Sequence, residues 1–349
     1  MKTHKKKLWI VLIPLLLAPM SCMKQGKNEV IINGRFTGDI PDRVGYTIPV
    51  NQTSYRGFRE IIELDSTGTF QVIVETDKPA FLSFWFLDSP SLIIEPGRSY
   101  NIILEHEKGL IIKGELSPLQ EFYNNLPHED PMTCLYSFGD DISNYNSIRQ
   151  SLHDNLNKEL SAVRDLFYNG EITEEMKDLL VSDRRLYYMT AKSVLASANN
   201  LRVRSENVEF LLEEIFSLWA DAIDGAKINN PYILSSSSSW DFLQLYLWYR
   251  IYTNYDFDDL VELRALHRKN STTHLHNMQL AKEFMAGDIL EFFLAATFSY
   301  QHFRRQYDKD LNYNFELFKN HFPDSKYLPF VEKTLEEMIE RQMELASGH

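Results

Sequence analysis

Cysteine is the scarcest informative residue in this chain: 349 positions hold two, Cys22 and Cys134. They do not form a Cys-x-x-Cys spacing, so the chain carries no dithiol redox pair. Positive charge is also short. The 36 Lys and Arg are outnumbered by 49 Asp and Glu, for a net charge of −13. A chain of that sign repels phosphate backbones, which excludes nucleic acid as a partner class. Beyond Met20 no apolar run reaches the roughly 20 residues that a membrane-spanning helix needs. The His-Glu-x-x-His pattern of zinc enzymes and the Gly-x-Ser-x-Gly elbow of serine hydrolases are missing too. Motifs therefore assign no catalytic residue, no metal and no cofactor.

What is present begins at the N-terminus. Lys2, Lys5, Lys6 and Lys7 precede an apolar run from Leu8 to Met20, then Ser21-Cys22 and a polar stretch, Met23–Asn28. A basic start, a short apolar core and small residues before a break are the layout of a secretory signal. The stretch resembles a bacterial lipoprotein signal, in which the cysteine is lipidated and becomes the mature N-terminus. Pro19 and Met20 depart from the usual residues before that cysteine. The alternatives are an ordinary cleaved signal or a short anchor, with Cys22 incidental. On the lipoprotein reading, residues 1–21 are the signal peptide and 22–28 a tether. Several acyl chains on Cys22 would anchor the chain stably to a bilayer, and Cys134 is left without an intrachain partner. Loss of the signal also removes four Lys and no acid, making the chain more acidic still.

The length and a 44% apolar content allow two domains with sizeable cores. From Glu29 to Lys113 the apolar residues fall in eight short segments bounded by turn formers, such as Gly38–Asp42 and Pro96-Gly97. Phe58–Leu64 and Thr69–Glu75 read as a hairpin across Asp65-Ser66-Thr67-Gly68. The nearly all-apolar Ala80–Leu87 reads as a central strand buried on both faces. At Ser117-Pro118 the period becomes helical and stays so, over Ile142–Tyr168, Thr173–Ala198, Glu206–Asp224, Trp240–Tyr252, Asp258–His267, Met278–Arg305, Tyr313–His321 and Leu328–Ala346. Met278–Arg305 carries more than one apolar stripe, with Gly287 its weak point, and is expected at the centre of the bundle. The expected fold is α+β: an N-terminal antiparallel β-sandwich or barrel over residues 29–115, followed by an all-α helical-bundle region over residues 116–349.

Three β-region signatures occur in order: Asp65-Ser66-Thr67-Gly68-Thr69-Phe70, Leu92-Ile93-Ile94-Glu95-Pro96-Gly97, and Ile112-Lys113-Gly114-Glu115 leading into the Ser-Pro helix start. His321-Phe322-Pro323-Asp324-Ser325-Lys326-Tyr327 then introduces the last helix. This set resembles the N-terminal β-domain and helical region of Bacteroidota TlpA-like thioredoxin-family lipoproteins, which are thiol–disulfide oxidoreductases. In that family a thioredoxin domain with a Trp-Cys-x-x-Cys motif follows. No such motif occurs up to His349, so the resemblance transfers no catalytic residue and implies the front portion of such a protein.

Four residue groups are candidates for function. Cys134, in the loop between the two regions, is either a free thiol or a small apolar filler. His267, His274 and His276 cluster with Glu262 and Glu283, yet Arg268, Lys269 and neighbouring Ser and Thr describe a solvated loop rather than a metal site. Ser235–Ser239 read as a linker, with Ser239 capping the next helix. Trp240 and Trp248, in an aromatic-rich helix, are either core or ligand-facing platforms for sugars.

The expectation is a membrane-anchored, periplasm-facing envelope lipoprotein that binds or scaffolds without catalysis. Its partners would be the lipid bilayer through Cys22 and an envelope protein or glycan. Two alternatives stand beside it: an accessory of envelope thiol–disulfide exchange, acting through Cys134 or a separate thioredoxin domain, and a glycan-binding lipoprotein of an uptake system.

Overall fold

The computed structural model describes residues 26–50, 52–85, 91–105, 109–113, 118–128, 131, 145–206 and 212–347. Eight strands come first: β1 Glu29–Thr37, β2 Arg43–Thr47, β3 Arg59–Glu63, β4 Thr69–Glu75, β5 Ala80–Leu82, β6 Leu92–Ile94, β7 Ser99–Glu105 and β8 Gly109–Lys113. Ten helices follow among the described residues: α1 Pro118–Asn124, α2 Tyr145–Tyr168, α3 Glu174–Glu206, α4 Leu212–Ala226, α5 Ser239–Asn254, α6 Phe257–Lys269, α7 Thr273–Phe284, α8 Gly287–Arg304, α9 Leu311–His321 and α10 Leu328–Ser347. The α+β class is as expected.

The sheets differ from the expectation in three ways. β4, β1, β7 and β8 form one sheet in that order, and its β1–β7 pair is parallel, so the β region is mixed rather than wholly antiparallel. Among the described residues there is no closed barrel. The four-stranded sheet instead shares one core with the β2–β3 and β5–β6 pairs, where Val30, Ile32, Phe36 and Leu104 meet Tyr46, Leu82, Phe84 and Leu92. Finally, β3 and β4 are not a hairpin. The Asp65 turn forms, with its carboxylate accepting from the Thr67 backbone N–H at 2.8 Å, but it carries the chain from one sheet to the other. Seven paired positions with β1 hold β4 in place.

The strand expected over Ala80–Leu87 is shorter: β5 ends at Leu82 and pairs with β6 in a two-stranded sheet rather than lying at a sheet's centre, though its three residues are buried on both faces. Ala80 and Leu82 enter the β core, while Phe81 points the other way with Ile93 of β6, onto Leu119, Tyr123, Val163 and Leu180 of the helices. Strand alternation thus builds two cores from three residues, and each large side chain so buried contributes about 1.5–3 kcal/mol. Gln120 of α1 completes the edge of β6. Its side-chain amide accepts from the Ile93 N–H at 2.8 Å and donates to the Ser91 carbonyl at 3.1 Å, standing in for a neighbouring strand.

The expected helix Met278–Arg305 is two helices. Met285 and Ala286 are extended, and Gly287 has φ +56°, a left-handed backbone that glycine adopts without penalty. Its second half, α8, is buried on all sides from Phe292 to Ser299 and is central as expected. The serine run is not a linker. Ser235, Ser236, Ser238 and Ser239 are buried, and Ser239 lies inside α5, its hydroxyl directed at the carbonyls of Ile233 and Ser236 at 2.6 and 2.5 Å. Ser238 takes the cap position, with no side-chain cap bond.

The two regions are joined by a β-region loop. The segment after β2 sends Tyr55 and Phe58 into the helical core, where Phe58 stacks on Tyr327 at 4.9 Å and meets Phe292 edge-on at 6.1 Å. Backbone and side-chain bonds fix it: Ser54 N–H to Leu234 O at 3.0 Å, and Tyr55 O–H to Ala296 O at 3.2 Å. Gly57 makes the approach feasible, because a Cβ there would collide with the Tyr55 ring and the Ser299 side chain.

Candidate functional site

Between the β region and the helices lies a cleft of about 220 Å³, open to solvent. Three parts of the chain wall it. The β region supplies Thr47, Tyr55, Arg56, Ser83 and Trp85; α1 and the segment after it supply Tyr123 and His128. The helical side supplies Asp183, Arg184 and Tyr187 from α3, and Ser237, Ser238, Trp240 and Asp241 around the start of α5.

The floor is a buried charge cluster. Arg184 is 2% exposed, and its Nε donates to Glu159 Oε2 at 2.7 Å. One of its terminal nitrogens reaches Asp183 at 3.7 Å and the other donates to the Pro127 carbonyl at 3.3 Å. Its flat face lies over the Tyr187 ring at 4.4 Å. Tyr188 O–H donates to the second oxygen of Glu159 at 2.7 Å, and Ser236 O–H donates to Asp183 at 2.7 Å. Every buried charge therefore has charge-assisted partners, which is the condition for burying it at all.

Burial shifts the titrating groups. It pushes the Asp183 carboxyl upward, against the restraint of Arg184 and the Ser236 hydrogen bond. It works against the Arg184 charge, but Asp183 and Glu159 outweigh it and hold the guanidinium above its ordinary pKa. His128 is pushed down by burial. Its Nε2 lies 2.7 Å from the Tyr123 carbonyl, which can only accept, so Nε2 carries the proton and Nδ1 remains an acceptor. The cleft thus combines planar polar groups, hydroxyls and aromatic rings. Arg184 is held by Glu159, Asp183 and the Pro127 carbonyl of its own chain, which fixes its plane at the floor of the cleft.

Most residues singled out from sequence fall elsewhere, Trp240 and the end of the serine run excepted. Cys22 and Cys134 lie outside the described residues. Trp240 is 3% exposed and packs on Phe293 and Tyr300 at 5.2 and 5.4 Å, with only an edge at the cleft. Trp248 is half-buried, with Arg264 3.8 Å above one face of its ring, and with Trp240 it lines a small pocket beside His274 and Tyr300. The three histidines sit on helices, not in a loop. His267 and His276 stack at 4.1 Å, while His274 is buried beside Asp308, whose carboxylate accepts from the His274 and Leu275 N–H groups at the start of α7. Among the described residues no group of three or more His, Cys, Asp or Glu is placed to hold a metal ion, and no helix is long and apolar enough to cross a membrane.

Sequence reading missed Asp183, Arg184, Glu159 and His128. A signal for two of them exists: along α3 the buried positions run Met176, Leu179, Leu180, Ser182, Asp183, Arg184, Leu186, so two charges occupy the buried stripe. Compared with family models, curated proteins and solved structures, the chain matches none.

Proposed function

We propose that this chain is a lipid-anchored, periplasm-facing binding protein of the bacterial envelope, held to the bilayer through Cys22, whose cleft receives a polyhydroxylated ligand such as a sugar or short glycan. It would correspond to the β and helical portions of a TlpA-like lipoprotein. The cleft carries the reading: two differently folded regions converge on one polar, aromatic-walled cavity with a rigid charged floor. Sites for small ligands combine apolar walls with a few fixed polar groups. Here Asp183, Asp241 and His128 offer planar acceptors and donors for hydroxyl pairs, and the rings of Tyr187 and Trp85 offer surfaces for C–H faces. Among the described residues lining the cleft, Arg56 and Arg184 are matched in number by Asp183 and Asp241, so no net positive charge selects a phosphate.

Binding of the mature chain to a glycan array, followed by calorimetric titration of the best ligand, tests the proposal. Tyr187→Ala and Asp241→Asn should each weaken binding about tenfold while the fold persists. A folded chain that binds no glycan would overturn it. Anchoring is tested separately: the intact mass should begin at Cys22 with added acyl mass, and Cys22→Ala should release the chain from membranes. Wild-type chain recovered without lipid would overturn the localisation.

A further inference from the structure

The wall formed by Tyr55, Arg56 and Trp85 has a second side. There it bounds a separate groove of about 80 Å³, between the β2–β3 pair and the outer faces of α8 and α10. Arg59 lies over the Trp85 ring at 4.3 Å and Arg56 over the Phe303 ring at 4.8 Å. Lys333 of α10 faces them across the groove. None of these three cations makes an ion pair among the described residues, in a chain whose net charge is −13. Among the described residues one carboxylate lines the groove, Glu337, 3.4 Å from His302. The aromatic lining is unusually open, with Trp85 38% and Phe303 58% exposed, and Ile61 beside them 48% exposed.

An apolar groove rimmed by unpaired cations is complementary to a molecule with an apolar body and an anionic head. We propose that this groove binds a small aromatic or acyl carboxylate or sulfonate, its flat body against Trp85 and Phe303 and its anion between Arg59, Arg56 and Lys333. Stacking on the rings holds both guanidiniums in place, so little side-chain freedom is lost when the anion arrives. Burial depresses the pKa of His302 and the nearby Arg59, Arg341 and Arg305 depress it further, although Glu337 opposes them.

Anilinonaphthalene sulfonate is a suitable probe, being aromatic, anionic and fluorescent in apolar surroundings. Titration into the folded mature chain should give saturable binding at one site, weakened by added salt. The double variant Arg59→Gln/Lys333→Gln, both exposed or half-exposed positions of this groove alone, should raise Kd about tenfold or more with near-ultraviolet circular dichroism unchanged. The cleft variant Tyr187→Ala should leave Kd unaltered. Equal binding of uncharged phenylnaphthylamine, an unchanged Kd in the double variant, or loss of binding in Tyr187→Ala would each overturn the proposal.

Discussion

The hydroxyls of Thr53 and Tyr327 meet at 2.6 Å, both buried, across 274 positions of sequence. Around that bond, Phe58 stacks on the same tyrosine ring and is fully buried. The β-region loop is thus a structural part of the helical core. Phe58→Ala should cost about 3–5 kcal/mol through lost burial and the cavity left behind. Tyr327→Phe should cost about 1–3 kcal/mol by leaving the Thr53 hydroxyl buried without that partner. Because the loop belongs to both cores, urea unfolding followed by circular dichroism and by tryptophan fluorescence should give coincident transitions in each variant. A β region that melts separately in Phe58→Ala would show that the two cores are energetically independent.

Glu159 serves two neighbours at once, accepting from Arg184 and from Tyr188 at 2.7 Å each. The two bonds are not equivalent. Removing the carboxylate charge in Glu159→Gln strands a guanidinium that is 2% exposed, with only Asp183 at 3.7 Å as its counter-charge. Breaking a buried pair in this way costs about 3–5 kcal/mol. Tyr188→Phe removes one hydrogen bond to a charged acceptor and should cost about 1.5–3 kcal/mol. Chemical denaturation of both variants measures the difference. Equal losses would mean that the cluster is held by packing around α3 and not by its charges.

How much of this was readable beforehand depends on the range of the interaction. The alternation of Phe70, Val72 and Val74 dictates a half-buried strand, and β4 has that burial pattern. Its partner is a tertiary choice: nothing local in Asp65–Thr69 says that the chain crosses to the other sheet rather than folding back on β3. The break at Met285–Gly287 was marked by the glycine, yet the apolar periodicity runs through it and hides the two extended residues. The serine run misled because serine suits loops as well as buried turns, and only the Asp183 carboxylate opposite Ser236 decides between them. Asp183 and Arg184 were visible as charges in the buried stripe of α3. Thr53 and Tyr327 were not, since no pattern links a turn residue to a tyrosine before the last helix.

The stacked histidines give the chain an acid sensitivity of definite sign. Burial, with help from His267 and Arg264, pushes His276 from its ordinary 6.5 down to about 4, while Glu283 pulls weakly the other way. Between those values the unfolded chain binds a proton that the folded ring refuses, so stability is full above about pH 6.5 and is lost as pH falls toward 4. His128 and His302, also depressed by burial, act in the same direction. Asp183, whose carboxyl is pushed up, acts in the opposite one, because the folded state holds its proton longer. His276→Gln removes one titration and leaves the others. Its melting temperature should therefore fall less than that of the wild type between about pH 7 and about pH 4.5, after any constant loss from the missing ring stack. Scanning calorimetry at several pH values reads this directly. Parallel curves for the two proteins would mean that His276 takes up its proton in the folded state as readily as in the unfolded one.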